Sequence, residues 1–438
     1  MQYLPNILFA IVLIAGISFF TMNIRKIFRN INLGKDIDRS SNKPERWKNM
    51  IKIALGQSKM VRRPFSGFLH VIVYVGFVII NIEVLEIIID GLLGTHRIFQ
   101  GFISAAFYAF LIGTFEILAA LVFVAVILFW TRRNVANVKR FLNSEMTGWP
   151  KMDGNIILYF EMVLMTLFLV MNATDTPFQE AGIGNPISQF IVPLFDGFSL
   201  EAMHTIERTA WWIHIVGILG FLNYLFYSKH LHILLAFPNT FFANLDPKGQ
   251  FNNLESVTSE VKLMMDPDAD PYASPAEGTE EAVPEKFGAS DVADLNWVQL
   301  LNSYTCTECG RCTAACPASL TGKKLSPRKI MMDTRDRLEE VGRNIDLNSG
   351  TFVDDGKQLL NDYILPEELW ACTSCNACVE VCPVNIDPLS IIMDMRRYLV
   401  MEESAAPQEL NAMMTNIENN GAPWQYNQQD RLDWANEE

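Results

Sequence analysis

The sequence predicts an all-α protein in which a bundle of five membrane-spanning helices is followed by a smaller helical domain. Three observations predict this architecture. Five apolar stretches, each long enough to cross a bilayer, occupy residues 1–245. Two cysteine runs of identical spacing lie in the last third of the chain, each between helical patterns. The residues around these runs do not alternate between polar and apolar, so they do not predict a strand.

The five apolar stretches approach or exceed the roughly 20 residues that a helical span needs. They are Leu4–Met22, Phe65–Leu93, Phe102–Trp130, Ile156–Met171 and Ile206–Tyr227, here called spans one to five. Span one also resembles a signal peptide, but no basic residue precedes its long apolar run and no small-residue cleavage site follows it. We therefore expect a transmembrane domain over residues 1–245.

Lysine and arginine residues are distributed unevenly between the predicted loops. The loop Arg25–Arg63 holds 12 of them and Thr131–Lys151 holds 5, whereas the two intervening loops hold only Arg97. Basic loops remain in the cytoplasm, so we expect the amino terminus outside and both cysteine runs inside. The expected location is the cytoplasmic (inner) membrane, crossed several times.

All 8 cysteines lie in two runs of the form C-x2-C-x2-C-x3-C-P. The runs are CTECGRCTAACP at Cys306–Pro317 and CTSCNACVEVCP at Cys372–Pro383. In this spacing three thiolates ligate one iron–sulfur cube and the fourth ligates the other cube. We expect two [4Fe–4S] clusters with crossed ligand sets. These are Cys306, Cys309, Cys312 and Cys382 for cluster one, and Cys372, Cys375, Cys378 and Cys316 for cluster two.

Zinc binding and disulfide bonds are the alternative uses of these cysteines. Zinc sites typically pair C-x2-C units, and a doubled four-cysteine run that ends in proline is not their pattern. Disulfide bonds need an oxidising compartment, which the expected cytoplasmic location does not provide. Iron–sulfur clusters are therefore the favoured interpretation.

The polar half of the chain divides into three expected segments. Residues 246–290 are acidic and rich in proline and alanine, which predicts a linker. Residues 291–404 show helical patterns around both cysteine runs, which favours an α-helical ferredoxin domain over the small β-rich ferredoxin. Residues 405–438 are polar but carry three large aromatic side chains. They predict a docking tail, or alternatively a segment packed on the ferredoxin domain.

The overall charge argues against one class of partner. The net charge is −14, and the acidic excess is concentrated between Asp246 and Leu300. A nucleic-acid-binding protein needs a basic face. We therefore expect no nucleic-acid partner.

Four glutamates lie inside the predicted spans, namely Glu83, Glu86, Glu116 and Glu161. Charged groups at membrane depth are costly and usually functional. Glu116 and Glu161 lie well inside their spans and are the better candidates for a proton path.

The six histidines are candidates for haem ligation. His214 and His232 are 18 residues apart, which is five turns of one continuous helix, so they are expected on one face, about 27 Å apart. His70 lies near the cytoplasmic start of span two, and His232 lies at the cytoplasmic end of span five. The two residues are therefore expected at the same depth in the membrane. We therefore expect His70 and His232 to bind one haem iron from opposite sides, with His230 facing elsewhere.

The segments around these histidines resemble a known family. GFLHVIVYVGF on span two and WWIHIVGILGFLNYLFYSKHLHI on span five are similar to the haem-b membrane subunit, the gamma type, of respiratory nitrate reductase. The resemblance implies two haems between these spans, with span-five ligands at His214 and His232. The family's second span-two ligand falls at Ile80 here. Either His96 or His204 is the second ligand of the outer haem instead, or His214 lines a quinone pocket.

The cysteine-rich half resembles the iron–sulfur subunit of heterodisulfide reductases and the cluster domains of anaerobic glycerol-3-phosphate dehydrogenase and glycolate oxidase. The similar segments are LNSYTCTECGRCTAACPASLTGKKLSPRKIMMDTRD, the second cysteine run and the ending ENNGAPWQYNQQDRLDWANEE. That superfamily also has a separate module with paired CCG motifs. No cysteine is left here for such a module, so the resemblance implies a CCG-type partner.

Together these resemblances imply a membrane electron-transfer subunit similar to electron-transfer-flavoprotein:menaquinone oxidoreductases. Electrons are expected to pass between a cytoplasmic CCG-type subunit or electron-transfer flavoprotein, two [4Fe–4S] clusters, haem b, and menaquinone or another quinone. No pattern indicates a nucleophile or a substrate-activating base, so no catalytic residue is assigned. Two alternatives are a heterodisulfide-reductase-like subunit that oxidises quinol and a haem-free membrane-anchored ferredoxin.

Overall fold

The computed structural model describes residues 3–182, 184–267 and 286–436. Within these ranges the secondary structure is helical, and the only β-type pairing consists of two isolated bridges. Five helices are long and apolar enough to cross a membrane, and a helical region follows them. The predicted fold class is therefore confirmed.

The spans are longer than their apolar stretches. The structure gives Leu4–Ile31, Pro64–Leu93, Ala105–Asn134, Trp149–Thr174 and Leu200–Tyr227 for spans one to five. Each span packs against its neighbour in sequence, and span one also packs against span five, so the bundle closes into a ring. Apolar residues such as Phe115 and Phe168 fill its centre.

Span five is not continuous with the helix that follows it, which corrects the expectation of one helix through His232. The α-helix ends at Tyr224, one 3-10 turn reaches Tyr227, and Ser228 is extended before a new helix, His232–Phe241. Asp153 on span four holds the chain at this break. Its carboxylate accepts hydrogen bonds from the hydroxyls of Tyr224 at 2.6 Å and Ser228 at 2.7 Å.

The ferredoxin domain consists of short helices around one long helix, Pro327–Leu347. The long helix begins as the sequence predicts, because the Ser326 hydroxyl accepts a hydrogen bond from the backbone N–H of Lys329, and Pro327 takes the first helical position. The other principal helices are Trp297–Thr305, Arg311–Ala315, Pro317–Leu320, Pro366–Trp370, Ala377–Val381 and Pro388–Met401.

The ferredoxin domain sits directly on one end of the bundle, here called the inner end. Asn30 at the end of span one donates a hydrogen bond to the hydroxyl of Tyr304 at 2.9 Å. The guanidinium of Arg328 reaches the carbonyl oxygen of Arg140 in the loop after span three, at 2.6 Å. One apolar core runs from Ile27 of span one into the domain. The cysteine runs are therefore held against the bundle rather than tethered to it.

Two outlying segments contain helices of their own. The acidic segment holds an exposed helix, Glu255–Met265, which the sequence analysis did not predict. The rest of the expected linker, residues 268–285, lies outside the described residues. The tail forms a helix, Gln408–Asn420, and a 3-10 segment, Gln428–Ala435, neither of which has a buried residue.

Candidate functional site

Two short helices, Arg311–Ala315 and Ala377–Val381, carry the middle of each cysteine run. Each follows a residue in the left-handed backbone region, Gly310 at φ 68° and Asn376 at φ 58°. At Gly310 a side chain would also meet the guanidinium of Arg328 at 2.5 Å, so the turn favours glycine. These turns fold each run back, so that its cysteines converge.

Cysteines from both runs line one small cavity. They are Cys306, Cys309, Cys312, Cys378 and Cys382. All four residues expected for cluster one are among them, including Cys382 from the second run. The structure thus brings together the crossed set that the motif predicts.

The fourth cysteine of the first run, Cys316, lies with the second run. Its thiol interacts electrostatically with those of Cys372 and Cys378. Cys375 is exposed, whereas Cys316 and Cys382 are buried. The second expected set is therefore the one nearer the protein surface.

Across the described ranges, no three histidine, cysteine or acidic side chains lie close enough to hold one metal ion. Burial raises the pKa of Cys306 and Cys378 to about 12, so these thiols are neutral until a bound metal displaces their protons.

A buried ion pair links the first cysteine run to the loop before His232. Glu308 lies between the first two cysteines of that run, and its carboxylate pairs with Lys229 and, at 2.7 Å, with Arg335. The carbonyl oxygen of Lys229 accepts a hydrogen bond from Nδ1 of His232 at 3.2 Å. Sequence reasoning missed Glu308 and Lys229, because only their long-range contacts distinguish them.

His70 and His232 face each other at the inner end of the bundle. Their ring centroids are 6.5 Å apart, and the ring planes are inclined by 42°. Nδ1 of His232 is held by the Lys229 carbonyl, which leaves its Nε2 available. Nδ1 of His70 is buried without a hydrogen-bond partner. The pair that the sequence selected is thus brought together, although by a different helical path.

His230 does not face elsewhere, and that expectation is wrong. Its ring centroid lies 5.3 Å from that of His232, perpendicular to it, and 5.3 Å from that of Phe221. The expectation assumed helical geometry through both histidines, whereas the backbone is extended at Ser228. Three imidazoles therefore lie together at the inner end.

His214 lies on span five, well away from these three residues along the sequence. It is 2% exposed, packs against Phe168 at 6.1 Å between ring centroids, and has no hydrogen-bond partner at Nδ1. The suggested substitutes for a second span-two ligand both lie at the outer end. His96 pairs with Asp175 at 3.2 Å, and His204 is 73% exposed and 3.9 Å from Glu207.

The comparisons with known proteins agree with the cysteine site. Residues 305–386 match the family described as a 4Fe–4S dicluster domain. The chain is 29% identical to the probable iron-sulfur-binding oxidoreductase FadF of Bacillus subtilis, over 98% of this chain and 61% of the relative. It is 24% identical to the EtfAB:quinone oxidoreductase of Syntrophomonas wolfei, over 98% of this chain and 59% of the relative.

These relatives indicate an iron–sulfur electron-transfer protein of the oxidoreductase type. A shorter match, 34% identical, covers 34% of this chain and 24% of a probable membrane-anchored ferredoxin of Chromohalobacter salexigens. The chain spans about 60% of the length of the first two relatives. No solved structure shows a significant match. With its five apolar helices, the chain is a membrane protein that carries an iron–sulfur domain.

Proposed function

We propose that this chain passes electrons between a cytoplasmic redox partner and quinone in the membrane. The carriers are cluster two, cluster one and a single haem b, in that order from the partner. The preferred direction is reduction of menaquinone or another quinone. The organic substrate chemistry belongs to the partner, an electron-transfer flavoprotein or a CCG-type iron–sulfur subunit.

The separation of His70 and His232 is the observation that carries this proposal. Two metal–imidazole bonds of about 2 Å in line, with roughly 1.2 Å from each nitrogen to its ring centroid, give centroids about 6.4 Å apart. The two rings lie 6.5 Å apart, so they fit an iron held between them. When bound there, haem b supplies a one-electron carrier. His230 and His232, perpendicular at 5.3 Å, do not fit such a pair.

The arrangement of the cysteines supports the order of the carriers. Cys375 is exposed, so cluster two is the natural point of contact for a partner. Cluster one lies on the bundle side, because Glu308 in its run pairs with Lys229 beside the histidines. An electron that enters at cluster two therefore reaches the histidine pair through cluster one.

The surroundings of His214 favour a quinone pocket over a second haem. The span-two position that the haem family uses for its outer ligand is Ile80, which is buried in the apolar core of the bundle. His96 pairs with Asp175 at 3.2 Å, and the side chain of His204 is largely exposed. An imidazole such as His214 can hydrogen-bond a quinone carbonyl and exchange a proton with it.

The basic loops support a location of the ferredoxin domain on the cytoplasmic side of the inner membrane. The relative named as an EtfAB:quinone oxidoreductase supports the quinone link, and it matches almost the whole chain. The relatives named as heterodisulfide reductase subunits match about a quarter to a third of the chain. They support a heterodisulfide-reductase-like, quinol-oxidising role as the alternative direction of flow.

A reduced-minus-oxidised optical spectrum of the purified chain tests the proposal. Sharp α and Soret bands from one haem per chain are expected, and both bands should shift when a quinone analogue binds. The second candidate is a haem-free membrane-anchored ferredoxin, which the match to the Chromohalobacter protein favours. A spectrum with iron–sulfur absorption alone would establish that candidate instead.

A further inference from the structure

A small polar cavity lies at the outer end of the bundle, opposite the ferredoxin domain. Residues from spans two, four and five and from the loop after span two line it. Those used below are Glu83, Glu86, His96, Arg97, Met171 and Trp211. Nothing in the proposed electron path uses this cavity, and polar cavities at membrane depth are costly unless they have a role.

Most of the charged groups around the cavity are satisfied by one another. The guanidinium of Arg97 donates to Asp175 at 2.9 Å and to Asn172 at 2.9 Å. Glu86 accepts hydrogen bonds from the backbone N–H of Phe99 at 2.8 Å and from the Tyr108 hydroxyl at 3.2 Å. These contacts fix the loop after span two onto the bundle, and their side chains serve structure.

Glu83 differs from these neighbours. Its side chain lines the same cavity and is only 3% exposed, yet Oε2 has no hydrogen-bond partner. A buried carboxyl oxygen without a partner is costly to keep unless it exchanges a proton or a ligand. Arg97 and Glu86 are close enough to interact with Glu83 electrostatically, but neither hydrogen-bonds it.

The cavity opens to the outer surface, and its inner wall lies about one helical turn from His214. His96 at its lining is half-exposed, which opens one side to the outer aqueous phase. On the inner side, Met171 and Trp211 line the cavity. Phe168 and His214 follow three residues further inward on the same two helices, about one turn away.

We propose that Glu83 carries protons between the outer aqueous phase and the quinone pocket at His214. This inference rests on the proposed function. Reduction of one quinone takes two electrons from the haem and two protons. Each proton leaves the carboxyl of Glu83 toward the pocket, and the carboxylate is then reprotonated from the outer phase along the side lined by His96. In quinol oxidation the same protons move outward.

The other span glutamates do not compete for this role. Both oxygens of Glu116 are engaged, one with the side-chain amide of Asn172 at 3.0 Å and the other with the backbone N–H groups of Ile187 and Ser188. Glu116 therefore anchors the outer loop. Glu161 does not line the cavity, so its variant provides a comparison outside the cavity.

Glu83→Gln and Glu161→Gln in the full chain, reconstituted with its partner in vesicles, test the proposal. Glu83→Gln should slow quinone turnover by roughly 100-fold or more, the scale of a lost proton-transfer group, with an unchanged haem spectrum. A loss of turnover in Glu161→Gln equal to that in Glu83→Gln would contradict the proposal, because Glu161 does not line the cavity. Unchanged turnover in Glu83→Gln would overturn the proposal.

Infrared spectroscopy provides a readout that needs no turnover. The carbonyl band of a protonated carboxyl should shift in deuterium oxide, and this band should be missing in Glu83→Gln. A band that persists in Glu83→Gln, or one that does not shift in the unaltered chain, contradicts the proposal. If Glu83→Gln loses its haem, Glu83→Asp decides, since it keeps the exchangeable carboxyl. Failure of the proposed function would instead appear as missing haem in the unaltered chain.

Discussion

The ammonium group of Lys229 pairs with the carboxylate of Glu308, and both side chains are buried. Glu308 belongs to the first cysteine run, and Lys229 holds Nδ1 of His232 through its carbonyl oxygen. Asp153 of span four lies 3.6 Å from the same ammonium group. One cluster of charges therefore fixes the distance between the proposed cluster one and the proposed haem ligand.

Replacing Glu308 with Gln should destabilise the protein, because Lys229 and Arg335 would lose their shared anion. Breaking a buried ion pair from one side costs about 3–5 kcal/mol. Thermal unfolding of the solubilised chain measures the loss, and the low-spin haem signal should weaken with it. Lys324→Ala removes the cation of an exposed pair with Glu367 and is the control, with no change expected.

Replacing Cys316 with Ala should damage cluster two rather than the cluster beside it in sequence. Cys316 lies with Cys372 and Cys378, and cluster two would lose its fourth thiolate. Iron content should fall by up to about half, as one cube of two is lost, and spin-resonance spectra should retain cluster one. Cys382→Ala should give the reciprocal pattern. Selective loss of cluster one in the Cys316 variant would show that the ligation is not crossed.

Replacing His70 or His232 with Ala should abolish the low-spin haem signal, because the iron would keep only one axial imidazole. His230→Ala is the matched control, since it removes a neighbouring imidazole in ring contact with His232 but not the facing pair. Optical and spin-resonance spectra of the three variants provide the measurement. Loss of the signal in His230→Ala alone would reassign the ligand.

Asp355 should stabilise the ferredoxin domain at neutral pH and stop doing so in acid. The hydrogen bond from the fully buried guanidinium of Arg337 holds the pKa of Asp355 below its usual value. A carboxyl with a lowered folded-state pKa stabilises the fold above its unfolded pKa, and this contribution disappears as the pH falls through the folded pKa. Asp355→Asn should therefore cost about 0.5–1 kcal/mol at pH 7, because solvent screens this exposed carboxylate, and little in strong acid. Urea unfolding at several pH values measures both, with Asp354→Asn as the control.

The sequence predicts local features of the fold better than features that depend on distant partners. Five spans follow from apolar length, and the helix start at Ser326 follows from its own side chain. The break at Ser228 depends on Asp153, 75 residues away, so helical periodicity alone misplaced His230. Glu116 shows the same limit, since its depth suggested a proton path whereas its partners lie in a loop 71 and 72 residues later.

In the candidate site, too, the features that depend on local sequence are predicted better than those that depend on distant partners. The crossed cysteine set can be predicted from the spacing of the motif, because that spacing determines which thiolates bind the same cluster. The spatial arrangement of His70 and His232 follows from their matching depths on two spans. Lys229 and Glu308, which connect the two sites, are ordinary charged residues in the sequence. Burial alone makes their pairing costly to break.

The tail should act as a docking element for the cytoplasmic partner. Its three aromatic rings are exposed, with Trp434 at 75%, Trp424 at 62% and Tyr426 at 47%, so the alternative in which they pack on the ferredoxin domain is wrong. Exposed tryptophan and tyrosine amid polar residues are enriched where partners bind, and such anchors often carry 2 kcal/mol or more of binding energy, roughly 30-fold in affinity.

Truncation after Glu418, and the milder pair Trp424→Ala and Trp434→Ala, separate docking from folding. Both changes should leave the iron content and the haem spectrum intact, because neither removes a buried residue. Both should weaken association with the partner, with the double substitution lowering affinity by about tenfold or more. Leu432→Ala, in the same exposed segment, tests whether the loss of any apolar side chain lowers the affinity for the partner. A smaller decrease in affinity is expected. Loss of the clusters in the double variant would show instead that the tail supports the ferredoxin domain.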